Sequence, residues 1–155
     1  MLLLLRAFAL PGIAAAVAGS HPPTLAARMP LAVVLAEDSA AIRESLTAAL
    51  AELADAEVIA VAETAADAIA ALAAHSAEWQ LAILDLFLQR GHGLDIVRAV
   101  VKTRPDQRIF LVSNFATPDI RRRALEAGVD AVFDKSTEIE QLLEACKALS
   151  ADAAR

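Results

Sequence analysis

Short apolar runs in this 155-residue chain end on polar residues that can do chemistry together. The run at 31–36 is followed by Glu37 and Asp38, and the run at 81–84 by Asp85. The run at 108–112 is followed by Ser113, and the one at 131–133 by Asp134 and Lys135. Gathered at one place, the carboxylates of Glu37, Asp38 and Asp85 would repel. Two like charges about 4 Å apart cost roughly 4 kcal/mol at an effective dielectric near 20. Either one carboxyl is protonated or a cation sits among them. An all-oxygen cluster with few protein ligands suits Mg²⁺, which keeps several waters and accepts phosphate oxygens alongside one or two carboxylates. Lys135 adds a second positive charge. A metal and an ammonium on either side of a carboxylate stabilise the charge that develops on a phosphoryl group in transfer. An aspartate between them can act as the nucleophile and form an acyl phosphate. The Ser113 hydroxyl is a donor for that phosphate.

What brings these residues together is the order of the elements. LAVVLA at 31–36 is apolar throughout, as a strand buried on both faces must be. Asp38 or Ser39 can cap a helix carrying Ile42, Leu46, Ala49, Leu50 and Leu53 at helical spacing. A β-branched run at 58–62 reads as a second strand, and Thr64 can cap the helix with Ala68, Ile69 and Leu72. The third strand at 81–84 ends at Asp85. Residues 86–92 form a loop, and 94–102 reads as a helix that stops before Pro105. The fourth strand spans 108–112. Thr117 caps a helix to Ala127, with Pro118 at its first position and Gly128 just past its end. A short fifth strand covers 131–133, and a last helix runs from about Glu138 to Leu149, before a polar tail at 150–155. Five such strands alternating with helices predict an α/β fold, a five-stranded parallel doubly wound sheet. In such sheets ligands sit beyond the carboxyl ends of the strands, which is where all the polar residues named above fall.

Composition narrows the partners. With 20 acidic against 14 basic residues and a net charge of −6, neither nucleic acid nor an anionic membrane is an expected partner. The single cysteine, Cys146, excludes an internal disulfide and reads as a small buried side chain. Arg121, Arg122 and Arg123 read as a solvated helix face, His75 and His92 as surface residues without metal spacing, and Trp79 as packing. Residues 1–30 form a leader of different character, apolar at first and interrupted by Arg6 and Pro11. It reads as a secretory signal lacking a basic start, as an anchor too short to span, or as an upstream stretch before a true start at Met29. The chemistry after Met29 is cytosolic, so a cytoplasmic location is expected.

The strings VVLAED, ILDLFLQRGHGLDIVR, FLVSN and VFDKS resemble the receiver domain of bacterial two-component response regulators. The resemblance covers 31–149 and implies a flavodoxin-like (βα)5 fold with strand order 2-1-3-4-5. It implies that Asp85 accepts the phosphoryl group, that Asp38 and Asp85 are direct Mg²⁺ ligands and that Glu37 is an outer ligand through water. The backbone carbonyl of Phe87 would complete the protein's share of the metal shell. Lys135 would pair with the acceptor or its phosphate, and Ser113 would be the switch hydroxyl. The implied partners are a sensor histidine kinase or phosphotransfer protein and a downstream protein target, and a weak homodimer is compatible. With nothing after the last helix the chain is expected to stand alone, as no enzyme beyond its own phosphorylation and slow dephosphorylation.

Several positions depart from the family's pattern. Asn114 stands where a small residue is usual, Val132 where an aromatic switch is usual, and Ser136 where a proline is usual. Phe133 or Phe115 would have to take the aromatic role, or that coupling is absent. These departures keep a second reading open, a pseudo-receiver that binds its partner without phosphorylation. A third is an aspartyl-phosphate phosphatase; such enzymes commonly carry an aspartate two residues after the nucleophile, where this chain has Phe87.

Overall fold

A computed structural model describes residues 28–155. The three readings of the leader concern residues 1–30, all but the last three of which lie outside the described residues. The elements alternate as β1 (Leu31–Ala36), α1 (Ala40–Ala54), β2 (Ala56–Ala62), α2 (Ala65–Ala74), β3 (Leu81–Asp85), α3 (Gly93–Ala99), β4 (Arg108–Ser113), α4 (Pro118–Ala127), β5 (Ala131–Asp134) and α5 (Ile139–Ala153). The five strands pair in parallel in the order β2-β1-β3-β4-β5, as expected for the flavodoxin-like fold.

Each central strand feeds two cores because its side chains alternate with period two. Ala82 and Leu84 of β3 join Val34, Ile109, Leu72, Ile96 and Trp79 on the face covered by α2, α3 and α4. Leu81 and Ile83 join Val33, Leu35, Phe110, Leu50 and Leu142 on the face covered by α1 and α5. Every residue of β3 is buried, so the strand that ends in Asp85 sits at the rigid centre of the sheet. Trp79 is core, with its indole N–H donating to the Leu72 carbonyl at 3.1 Å. Cys146 is buried too, and desolvation pushes the pKa of its thiol up to about 12.

Caps follow the expected chemistry. Ser39, rather than Asp38, caps α1; Thr64 caps α2 and Thr117 caps α4, each accepting a backbone N–H. Gly128 follows α4 at φ 105°, a conformation open to glycine without a Cβ penalty. Among the described residues there is no cis peptide, and no helix is long and apolar enough to cross a membrane.

Boundaries differ by two residues or more in three places. The second strand starts at Ala56, two residues early, because Ala56 pairs with Leu31 at the edge of β1. The helix expected over 94–102 stops at Ala99, and Val100 is already extended. The reason lies in Gln107, a fully buried side chain. Its Oε1 accepts the Thr103 and Arg104 N–H groups at 2.7 and 3.1 Å, replacing the bonds a longer helix would have made. Its amide nitrogen donates to the Ser76 and Trp79 carbonyls, closing the far side of the sheet. The last helix runs on to Ala153 instead of ending near Leu149. Ser150, expected in a polar tail, is buried and donates to the Asp55 carbonyl at 3.2 Å.

Candidate functional site

The strand order brings the carboxyl ends of β1, β3, β4 and β5 to one edge, and the polar residues that close them meet there. Asp85 is the last residue of β3 and is 6% exposed. Its Oδ2 accepts a hydrogen bond from Lys135 Nζ at 2.6 Å, and its Oδ1 accepts the Phe87 N–H at 3.3 Å. The same Lys135 ammonium donates to Glu37 Oε2, also at 2.6 Å. Glu37 is buried, and its other oxygen accepts the Ser39 N–H at 3.0 Å. Asp38 is exposed beside them, and one oxygen from each of Glu37, Asp38 and Asp85 lies within 4.8 Å of the others. Since α1 begins after its Ser39 cap, the acidic pair belongs to the site rather than to the helix's first turn.

One cation is thus divided between two buried anions. Burial raises the pKa of the Asp85 carboxyl above its ordinary 3.8, and the Glu37 charge adds to it, while Lys135 opposes both. Burial works against the Lys135 ammonium, but its hydrogen bonds to Asp85 and Glu37 outweigh that and raise its pKa above 10.5. Three carboxylates around one ammonium leave a formal surplus of two negative charges, which a divalent cation would balance. The donor set is all oxygen, as Mg²⁺ requires. The Phe87 carbonyl accepts no hydrogen bond from the described residues, while its amide donates to the Asp85 carboxylate.

Ser113 ends β4 fully buried. Its hydroxyl oxygen accepts the Phe115 N–H at 2.9 Å, so it serves as a strand-end cap while its proton stays available to donate. Its carbonyl accepts the Lys135 N–H at 3.1 Å, which locks the ends of β4 and β5 together. Asn114 and Lys135 border a groove of about 430 Å³ between α1 and α5, floored by Leu46, Ile139 and Leu142. Val132 is buried in the core under α4, and Phe133 packs edge-on against Phe110 in the other core, with ring centres 5.3 Å apart. Phe133 is therefore no substitute for the missing surface aromatic. Phe115 is exposed, edge-on to Phe87, which in turn meets His92.

Gly93 holds the Asp85 end of the strand in place. A Cβ there would overlap the Asp85 carbonyl oxygen and stand 2.9 Å from Leu111 Cδ1. Gly93→Ala is expected to cost about 1–3 kcal/mol through this overpacking, read as a lower urea midpoint with an unchanged slope.

The family model for the response regulator receiver domain matches residues 33–147. The chain belongs to this family. As a receiver domain it is similar to the response regulator protein VraR of Staphylococcus saprophyticus, 25% identical over 119 residues. That match covers 77% of this chain and 56% of the relative, so the chain spans about half the length of the curated relatives it matches. Among solved structures it is similar to a CheY-like receiver domain protein from Methanospirillum hungatei JF-1, at 26% identity and a TM-score of 0.63 over 79% of this chain and 94% of that one. The Mn²⁺-bound form of response regulator Rcp1 shares the fold at 22% identity and a TM-score of 0.60, over 79% and 93% of the two chains. Receiver domains bind Mg²⁺ through an acidic cluster, and Glu37, Asp38 and Asp85 form one in this receiver.

Three residues at the receiver's edge were not legible as functional. Arg43 donates to the Glu37 carbonyl at 3.0 Å and pairs with Glu63; its signal is a lone basic residue in the first turns of an Ala-rich helix. His92, read as a surface residue, caps α3 by accepting the Leu94 N–H through Nδ1 at 3.3 Å. Arg121, read as part of a solvated face, turns inward to the Ala116 and Val132 carbonyls. Only Arg122 and Arg123 behave as expected, pairing with Asp119 and Glu126 on their own helix. Sequence spacing does not distinguish adjacent arginines, because the acceptors for Arg121 lie on other elements.

Proposed function

We propose that this receiver domain accepts a single phosphoryl group on Asp85 from a histidine kinase or phosphotransfer protein and signals by protein–protein contact. The observation that carries the reading is the Asp85 carboxylate held at the end of β3 between the Lys135 ammonium and the carboxylates of Glu37 and Asp38. A carboxylate oxygen of Asp85 forms the new P–O bond while the donor's P–N bond breaks, and the leaving imidazole keeps the electron pair and takes up a proton. The Lys135 ammonium meets the negative charge on the phosphoryl oxygens, and the Ser113 hydroxyl donates to one of them. Asp38, Asp85 and the Phe87 carbonyl would hold Mg²⁺, with Glu37 behind them. When bound, the ion supplies charge neutralisation for the incoming phosphoryl group. Burial of Asp85 and Glu37 keeps bulk water from the acceptor and strengthens each of these interactions. The chain's own chemistry ends with slow hydrolysis of the acyl phosphate, and the face of α4, β5 and α5 carries the message.

The test is intact mass after incubation with Mg²⁺ and acetyl phosphate. A single phosphoryl adduct is expected on the wild type and none on Asp85→Asn. A wild type that gains no mass and does not bind beryllofluoride would instead be a pseudo-receiver, which ends this reading.

A further inference from the structure

We propose that Arg121 and Glu138 form a clasp that fixes where the Ser113 hydroxyl stands relative to the Asp85–Lys135 pair, which makes Arg121 a positioning residue for phosphoryl transfer. The inference rests on the function proposed above. Arg121 lies in the first turns of α4, yet none of its guanidinium bonds stays on that helix. Its Nε donates to the Ala116 carbonyl at 3.0 Å, its Nη1 to the Val132 carbonyl at 2.9 Å and its Nη2 to Glu138 Oε2 at 2.8 Å. Ala116 belongs to the loop that begins at Ser113, and Val132 is in β5, three residues before Lys135. Glu138 closes the loop that carries Lys135: its Oε2 also accepts the Asp134 N–H at 2.7 Å, and its own N–H donates to the Asp134 carbonyl at 2.8 Å. One planar cation therefore joins the two loops that leave the site.

An exposed ion pair would carry little weight. Here two of the three acceptors are main-chain carbonyls on different elements, and the side chains of Arg121 and Glu138 are about two-thirds covered. The guanidinium fork is suited to this task because its donors point along fixed directions, whereas an ammonium is a single point. The Arg121 hydrogen bond also lowers the pKa of the Glu138 carboxyl below its ordinary value. Lys135 has independent anchors in Asp85 and Glu37. The Ser113 main chain is fixed by the pairing of β4 with β5, where its carbonyl accepts the Lys135 N–H, but its hydroxyl is held by the loop alone, through the Phe115 N–H. The clasp therefore acts through Ser113.

The test compares wild type, Arg121→Gln, Arg121→Lys, Glu138→Gln and the double variant Arg121→Gln/Glu138→Gln. The readout is the rate of Asp85 phosphorylation by acetyl phosphate with Mg²⁺, followed by intact mass, with melting curves alongside. Arg121→Gln is expected to slow the reaction about fivefold, equivalent to about 1 kcal/mol in the barrier. Arg121→Lys is expected not to restore it, and the double variant to be no slower than Arg121→Gln, as for residues acting as one unit. In a Ser113→Ala background the same Arg121→Gln change is expected to alter the already reduced rate by less than about twofold, since the group it positions is gone. A wild-type rate in Arg121→Gln, or the full fivefold loss persisting in the Ser113→Ala background, would overturn the clasp. A wild type that takes no phosphoryl group would sink the function itself, which is a separate outcome.

Discussion

Replacing Lys135 with methionine is expected to cost about 3–5 kcal/mol of folding stability, the scale seen when one partner of a buried ion pair is removed. The methionine fills much of the space but carries no charge. Glu37 and Asp85, 1% and 6% exposed, would then face each other without the ammonium that now stands 2.6 Å from each. Urea unfolding in metal-free buffer reads the loss directly. Mg²⁺ is expected to recover part of it, because a ligand that binds only the folded state stabilises by mass action. The phosphoryl adduct is expected to be lost as well. A variant as stable as wild type in the absence of metal would mean that the two carboxylates are not both ionised, and the charge argument would fail.

Asp85→Asn is expected to move stability the other way while abolishing the adduct. The wild-type carboxylate is buried beside Glu37, and its pKa is raised above 3.8 for that reason. A raised carboxyl takes up its proton on the folded chain first, so its ionisation opposes folding at neutral pH and no longer does so at 3.8 and below. Asparagine removes the charge, keeps the shape and leaves Lys135 to Glu37. In metal-free buffer at pH 7 the variant is expected to melt higher, by about 4 °C for each kcal/mol relieved in a domain of this size. The gap is expected to close as the pH falls toward 3.8. A lower melting temperature than wild type at pH 7 would mean that the Lys135 attraction outweighs burial and Glu37 repulsion at Asp85, contrary to the raised carboxyl. A loss of function joined to a gain in stability is the mark of a residue kept for chemistry rather than for packing.

Much of this receiver could be read from the order of its residues alone. Apolar runs of strand length alternating with helical spacing define the α/β class, because strand and helix periods are set by local backbone geometry. That Glu37, Asp38, Asp85 and Lys135 come together was legible because a parallel sheet forces the residues closing its strands to one edge. Caps such as Ser39, Thr64 and Thr117 act within four residues and needed nothing else. The premature end of α3 was not legible, since the Gln107 amide that satisfies Thr103 and Arg104 does so by folding back from the next strand's edge. Nor could the sequence say that Phe133 faces Phe110 while Phe115 lies outside, because which face a residue joins depends on the pairing of β4 with β5.

The sharing of Lys135 belongs to the tertiary structure as well. Its two carboxylate partners are 98 and 50 residues away in sequence, and only the packed strand ends bring both within 2.6 Å of one ammonium. Of three consecutive arginines, the fold turns Arg121 alone into a clasp, because acceptors on a loop and on β5 come within its reach. Periodicity and capping decide which elements form and which residues close them, since those are local properties of the chain. Which charges are paired, which are left over, and which loops are tied together are decided by contacts distant in sequence, and those exist only once the sheet has assembled.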